Sequence, residues 1–172
     1  TVLINLLRGA GTRGLSAMRP GTRRPLLAVR RGETRALCAA LDITPVDDET
    51  NTDPKFLRNR VRGELLPLMN DMSQRDIVPL LLRTADMLRD EHDFLEDLSA
   101  TIDPTDARAL TEAPAPLARR AVRVWLSHPY PPDVATVERV LAVARGEILA
   151  CDVGGGREVR RSKQRLHLTT IG

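Results

Sequence analysis

The chain has 172 residues, of which 42% are hydrophobic and 28% charged, enough for one ordinary core or two small ones joined by a linker. No run reaches the roughly 18 uncharged apolar residues of a membrane span, and the first residues lack the basic-then-apolar order of a signal peptide, so neither a membrane protein nor an exported one is expected. Cys38 and Cys151 lie far apart with no CxxC or Cys/His spacing, which excludes a disulfide framework and a zinc site and fits a reducing cytoplasm.

Charge is uneven along the chain although the net value is only +3. Residues 1–40 hold eight arginines against the single acid Glu33, and residues 157–167 hold Arg157, Arg160, Arg161, Lys163 and Arg165 against Glu158. Between them lies an acidic waist at residues 86–106. Basic clusters displace counterions from a phosphate backbone, so nucleic-acid binding and plain solvated surface are the two readings of this pattern. With only Phe56, Phe94, Trp125 and Tyr130 as aromatics, rows of stacking rings are excluded and any such binding would rest on arginines.

In chain order, Val2, Leu3, Leu6 and Leu7 have helical spacing from the outset, so the chain is expected to begin within a helix and to lack an upstream segment. Arg8 to Gly14 reads as a glycine-rich loop with open backbone N–H groups, or as a helix C-cap and nothing more. Leu26–Val29 predicts a short buried strand, Glu33–Leu41 a helix carrying Cys38 as a core filler, and Ile43–Val46 another strand, together the last part of a parallel α/β unit. A polar loop follows, and Asp53-Pro54 predicts a helix start: aspartate as cap, proline in the first helical position. The helix from Pro54 to about Leu66 would pack Leu57, Val61, Leu65 and Leu68 and present Lys55, Arg58, Asn59 and Arg62 on the neighbouring face. Asp76 to about Ile102 predicts a helix roughly 40 Å long. Leu117–Leu126 and Val134–Ala144 predict two more helices, and the chain closes on a small basic β-hairpin around Ser162, Lys163 and Gln164. His92 and His128 are isolated and receive no catalytic role.

Three of these stretches, in this order, resemble the bacterial tRNA(Ile)-lysidine synthases of the PP-loop ATP pyrophosphatase group. They are Thr1 to Leu15, then Arg24-Pro25-Leu26-Leu27, then Asn51 to Arg62 with Leu65-Leu66-Pro67. The last matches the family signature Asn-x-Asp-x-x-Phe-x-Arg-Asn-x-Ile-Arg through Asn51, Asp53, Phe56, Arg58, Asn59 and Arg62. Motif likeness covers about residues 1–70, and the remainder agrees in outline only.

The resemblance implies an α/β fold class: residues 1–70 as the C-terminal part of a PP-loop (Rossmann-like) parallel-sheet domain, 71–104 as a long linker helix, and 105–172 as a mainly helical α+β domain that binds tRNA and ends in the hairpin. It implies a ligase that uses ATP and Mg²⁺ to join L-lysine to C2 of the wobble cytidine of the CAU-anticodon isoleucine tRNA, through an adenylated intermediate. Arg58 and Arg62 would act in catalysis; Arg8, Gly9, Gly11 and Asn59 would border the nucleotide; Asn51, Lys55, Arg157, Arg160 and Lys163 would meet substrate. No metal ligand is assigned, and a homodimer is left open. The family's Ser-Gly-Gly-x-Asp-Ser loop and its His-x-Asp-Asp-Gln-x-x-Glu motif are not in these residues, so the chain alone is expected to be inactive.

Rival readings stand beside these. Arg58 and Arg62 could pair with Asp47, Asp48 or Glu49 as a structural network, and Asp48 and Asn51 could merely shape their loop. The whole chain could be a non-catalytic RNA-binding module gripping tRNA phosphates through the basic helix and hairpin. A PP-loop tRNA thiolase would need catalytic cysteines, which two distant ones serve poorly.

Overall fold

The structure, a computed structural model, describes residues 1–19, 21–46, 49–51 and 53–170, with Glu49 described by its backbone alone. The chain forms two units, Thr1–His92 and Asp93–Gly172.

The first unit is helical. Helix α1 (Val2–Leu7) buries Leu3 and ends at Arg8, after which Gly9 takes the left-handed conformation at φ +70°. Helix α2 (Thr12–Leu15) follows Gly11 as its N-cap, and the Asn5 side-chain amide donates to the Gly14 carbonyl at 2.6 Å, pinning the two helices together. Helix α3 (Arg31–Ala40) starts where the Arg30 N–H donates to the Glu33 carboxylate at 2.6 Å, satisfying a donor the helix itself cannot. The Arg30 guanidinium pairs with Asp76 at 2.7 Å. That same Asp76 accepts from the Val78 N–H at 3.0 Å and so opens the long helix α6 (Val78–Ala100). Between α3 and α6 lie a short 3₁₀ turn (Glu49–Asn51), helix α4 (Leu57–Arg60), a π-helical turn (Val61–Leu65) and helix α5 (Leu66–Ser73), the last three continuous in sequence. Gln74, left-handed at φ +52°, stops α5.

Leu26–Val29 is a series of turns and Ile43–Val46 is irregular chain, so neither forms the expected strand. Leu26, Ile43 and Val46 are exposed, and no strand exists among the described residues of this unit to satisfy their backbone groups; a strand without a neighbour leaves its N–H and C=O groups unpaired. The helix expected from Pro54 begins instead at Leu57. Asp53 commits its side chain to the Lys55 N–H at 2.9 Å, making a turn before the helix rather than a cap on it. Cys38 is half-buried on a helix with no buried residue, so it fills no core.

The second unit holds the main core. Asp106 caps α7 (Ala107–Glu112), accepting from the N–H groups of Arg108 and Ala109 at 2.9 and 3.2 Å. Helix α8 (Ala115–Trp125) has Pro116 in its first turn, where the missing N–H costs nothing, and Asp133 caps α9 (Val134–Arg145) through the Thr136 N–H at 2.7 Å. Gly146 ends α9 in the left-handed conformation. The sheet is an antiparallel meander, β1 (Ala150–Gly154), β2 (Arg157–Ser162) and β3 (Arg165–Thr170), in the order β1-β2-β3. Ala150–Gly154 thus adds a third strand, and the expected closing hairpin is part of a sheet. Lys163 and Gln164 both have positive φ, the backbone that matches the twist of the strands they join. Leu110, Val122, Leu126, Val140, Val143 and Val159 are buried between helices and sheet, each contributing about 1.5–3 kcal/mol. Helix α7 was not foreseen from sequence: its six residues are too short to show a period.

No helix among the described residues is long and apolar enough to cross a membrane.

Candidate phosphate-binding site

The sequence-singled arginines sit where the helix changes pitch. Arg58 lies in α4 and Arg62 in the π-helical turn that continues it, so both project from one continuous rod. Such π turns recur at functional sites because they re-aim side chains without ending the helix. Val61, between the two arginines, is buried and anchors the rod.

Neither arginine has an ion pair or side-chain hydrogen bond among the described residues. The acids proposed as their structural partners are Asp47 and Asp48, which lie outside the described residues, and Glu49, whose side chain does too. By contrast, Arg60 on the same rod is neutralised by Glu64 at 3.0 Å. Partial burial lowers the pKa of Arg62, and the charges of Arg58 and Arg31 lower it further. The charges of Arg58 and Arg31 thus each act against that of Arg62, and an anion bound beside Arg58 and Arg62 would relieve the repulsion between these two.

Arg58 and Arg62 border a cleft of about 190 Å³ whose other lining residues include Leu3, Ile4, Val61, Leu66, Val78 and Leu81. The apolar wall lowers the local dielectric, so an anion held by the two arginines would be bound more strongly than on open surface.

Asn59, between them, is committed to structure: its side-chain amide donates to the carbonyls of Thr50 at 2.8 Å and Asp53 at 2.9 Å. It ties the preceding loop to the helix and so fixes the place of Arg58. Asn51 is exposed at the end of the 3₁₀ turn, and Lys55 is exposed beside Asp53, 3.5 Å away. Arg8 and Gly9 form the end of α1, as the C-cap reading has it, and Gly11 has ordinary extended backbone. The sterically demanding glycine is Gly14, which sequence reasoning passed over. A Cβ there would stand 2.5 Å from the Ala10 Cβ. His92, read as isolated, is buried, with its Nδ1 3.5 Å from the Thr12 hydroxyl.

The basic hairpin, within its own unit, is largely neutralised. Arg160 pairs with Glu158 at 3.0 Å, Arg165 pairs with Asp103, and Arg161 donates to the Ala144 carbonyl at 2.8 Å and to Gln164 at 2.7 Å. Arg157 donates to the His128 carbonyl. Lys163 stands exposed at the turn. Cys151 is buried, and its thiol pKa is raised by that burial, the opposite of what a nucleophile needs. Among the described residues no group of three or more His, Cys, Asp or Glu side chains is placed to hold a metal ion, so they offer no ligand set for Mg²⁺.

Residues 1–69 match the PP-loop domain family. A tRNA(Ile)-lysidine synthase of Nocardia farcinica is 40% identical over 171 residues, covering 91% of this chain and 54% of its own length. Proteins of the same name from Rhodococcus erythropolis and Mycobacterium tuberculosis (strain ATCC 25618 / H37Rv) are 40% and 39% identical over 136 and 140 residues, each covering 73% of this chain and 42% and 43% of their own length. The chain spans about half the length of the curated relatives it matches. Likeness of this degree along nine-tenths of the chain, with the PP-loop match over its first 69 residues, makes it a homologue of the tRNA(Ile)-lysidine synthases.

Proposed function

We propose that the complete protein is a cytoplasmic carbon–nitrogen ligase that modifies the CAU-anticodon isoleucine tRNA with L-lysine at the expense of ATP. The observation that carries this reading is the pair Arg58 and Arg62, without an anionic partner among the described residues, on the rod that bears the Arg-Asn-x-Ile-Arg half of the family's signature. Residues 1–70 would complete a PP-loop domain with its parallel sheet. The exposed Leu6, Leu7, Leu37, Leu41 and Met72 are the apolar surface such a sheet would cover. Residues 71–104 would connect it to a tRNA-binding part formed by residues 105–172.

In the first step the C2 oxygen of the wobble cytidine attacks the α-phosphorus of ATP and pyrophosphate leaves. In the second, the lysine amine attacks C2, loses a proton, and AMP leaves. Both steps concentrate negative charge on phosphate oxygens. Arg58 and Arg62 would hold that charge beside the apolar wall, and Asn59 would hold Arg58 in register. Mg²⁺, when bound, would share the neutralisation of phosphate charge. Asn51, Lys55, Arg8, Gly9 and Gly11 would line the approach of nucleotide and tRNA, and Lys163, with Arg157 and Arg160 in their present ion pairs and hydrogen bonds, would supply weaker tRNA contacts. The non-catalytic RNA-binding reading draws less support, because most of the hairpin cations it relies on are already engaged.

The deciding assay is lysine incorporation into isoleucine tRNA with ATP, run on this 172-residue chain and on the product of the complete gene. Transfer by the complete product, with Arg58→Ala slowing adenylation about tenfold or more, is the expected result. A folded complete product that binds the tRNA and transfers no lysine overturns the ligase reading, and an unchanged Arg58→Ala rate removes that residue from the site.

A further inference from the structure

Tyr130, the single tyrosine of the chain, stands 81% exposed in the turn between α8 and α9. That turn is held at several points. Leu126 and Pro132 are buried at its two ends, and the rings of Pro129, Pro131 and Pro132 restrict the backbone on both sides of Tyr130. The Ser127 hydroxyl lies 3.2 Å from His128 Nδ1. From β2, Arg157 donates through Nη1 to the His128 carbonyl, two residues before Tyr130, and through Nε to the Gly154 carbonyl at 3.4 Å. Both acceptors are uncharged, so these bonds place the guanidinium without neutralising it, and no carboxylate pairs with it among the described residues. The acids nearest in the chain are committed elsewhere: Asp133 caps α9 through the Thr136 N–H at 2.7 Å, and Glu158 pairs with Arg160 at 3.0 Å. One anchored turn therefore carries an open aromatic ring and a cation that keeps its charge.

We propose that Tyr130 stacks on an unpaired base of the RNA substrate while Arg157 takes the phosphate beside that base. The inference rests on the tRNA-modifying reading above and adds a stacking contact that neither the signature nor the sequence reading assigned. An unpaired nucleotide presents a flat apolar ring joined to an anion, and a ring and a cation on one turn answer both parts. The aromatic content excludes rows of rings, but a single base needs only one. Because the turn is already ordered by its prolines and by Arg157, little freedom is lost when the base docks. The ring gives affinity without base selectivity, and the guanidinium gives the salt-sensitive share.

The test is binding between the complete gene product and a transcript of the CAU-anticodon isoleucine tRNA over a range of salt, with ATP affinity measured alongside. Tyr130→Ala is expected to weaken tRNA binding about fivefold or more, with an unchanged slope of log K against log[salt], because no charge is removed. Tyr130→Phe should bind like the parent, since the ring and not the hydroxyl makes the contact. Arg157→Ala should reduce the slope by about 0.7–0.9, one phosphate contact, and Arg157→Lys should keep it. The exposure of Tyr130 predicts an unchanged melting temperature for both of its variants, so a binding loss there is not a folding loss. ATP affinity should not move in any variant. Parent-like tRNA binding by Tyr130→Ala overturns the proposal, as does a Tyr130→Phe variant as weak as Tyr130→Ala, which would give the contact to the hydroxyl. Loss of ATP affinity in Tyr130→Ala with tRNA binding intact also overturns it. Lysine transfer by the unmutated product is read separately: its absence overturns the ligase reading even where the binding loss identifies Tyr130 as an RNA contact.

Discussion

Arg89 on α6 donates from Nη2 to the backbone carbonyl of Ser16 at 2.8 Å, and with this bond the segment after α2 is tied to the middle of the long helix. Its Nη1 pairs with Asp86 at 2.6 Å, while Nε is buried without a partner among the described residues. Arg89→Ala removes a charge-assisted bond to the backbone of a buried residue and also a donor that gained nothing from burial. The expected loss is about 1–2 kcal/mol of stability, at the lower end for a charged hydrogen bond. Urea unfolding measures it, and a midpoint equal to the parent's would show that the Ser16 contact contributes nothing net.

Among the glycines of the first loop, a methyl group is tolerated according to its place. Gly14→Ala would drive a Cβ to 2.5 Å from the Ala10 Cβ, on a backbone already held by Asn5, and should cost about 1–3 kcal/mol. Gly11→Ala, with ordinary φ and open space around it, should lie within about 0.5 kcal/mol of the parent. Gly9→Ala meets no atom but must adopt φ +70°, costing about 1 kcal/mol. Thermal unfolding should therefore place the Gly14 variant lowest, the Gly9 variant next and the Gly11 variant nearest the parent. A Gly11 variant worse than the Gly14 one contradicts the assigned packing.

Asn59 donates to two carbonyls at once, so the kind of replacement matters. Asn59→Ala leaves the Thr50 and Asp53 carbonyls to water and should cost about 1–2 kcal/mol. Asn59→Asp sets a carboxylate against the same two oxygens and should cost more. If the amide serves to hold Arg58 in place, both variants also slow adenylation in the complete gene product. Equal melting temperatures for the Ala and Asp variants would show that the amide is not the donor at this junction.

Asp103 has its pKa lowered from 3.8 to about 2, first by the hydroxyl and backbone N–H of Thr105 and then by Arg165. A carboxylate whose folded pKa is depressed contributes stability that is present above its unfolded pKa and is lost as the pH falls through the folded one. The contribution should therefore fade between about pH 4 and pH 2, and it should be small because the pair is half-exposed and screened. Acid unfolding of Asp103→Asn should show a shallower pH dependence than the parent in this window, and added salt should narrow the difference. Carbon-detected titration of the Asp103 carboxyl checks the cause directly: a midpoint near 3.8 would mean that the Thr105 and Arg165 contacts do not form in solution.

What the sequence disclosed follows from which forces are local. Helix α6 was legible nearly to its ends because 23 residues repeat an apolar period, and α8 and α9 were legible for the same reason. The strands at Leu26–Val29 and Ile43–Val46 misled because a run of apolar residues records only that a segment prefers burial, whereas pairing depends on chain that is elsewhere. The signature residues were found by type and spacing, but their division of labour was not. That Asn59 serves the carbonyls of Thr50 and Asp53 depends on contacts between segments that no periodicity encodes, whereas the Arg60–Glu64 pair, four residues apart on one rod, has a spacing that the sequence does carry. The hairpin's positive charge was legible as composition. Its neutralisation was not, because one of the acids responsible, Asp103, lies far from Arg165 in the chain, and the other, Glu158, meets Arg160 only through the geometry of the strand.

The π-helical turn at Val61–Leu65 gives this region a property that an unbroken α-helix lacks. One added residue in a turn gives the segments on either side separate angular phases, and Leu68 beyond it is exposed although it was expected on the stripe of the buried Val61. Arg58, in α4, thereby keeps an angular phase of its own relative to α5, while Arg62 stands within the turn itself. A single-residue deletion within the turn would rotate α5 by about 100° relative to α4, so that Arg58 could no longer keep its present direction while α5 kept its packing.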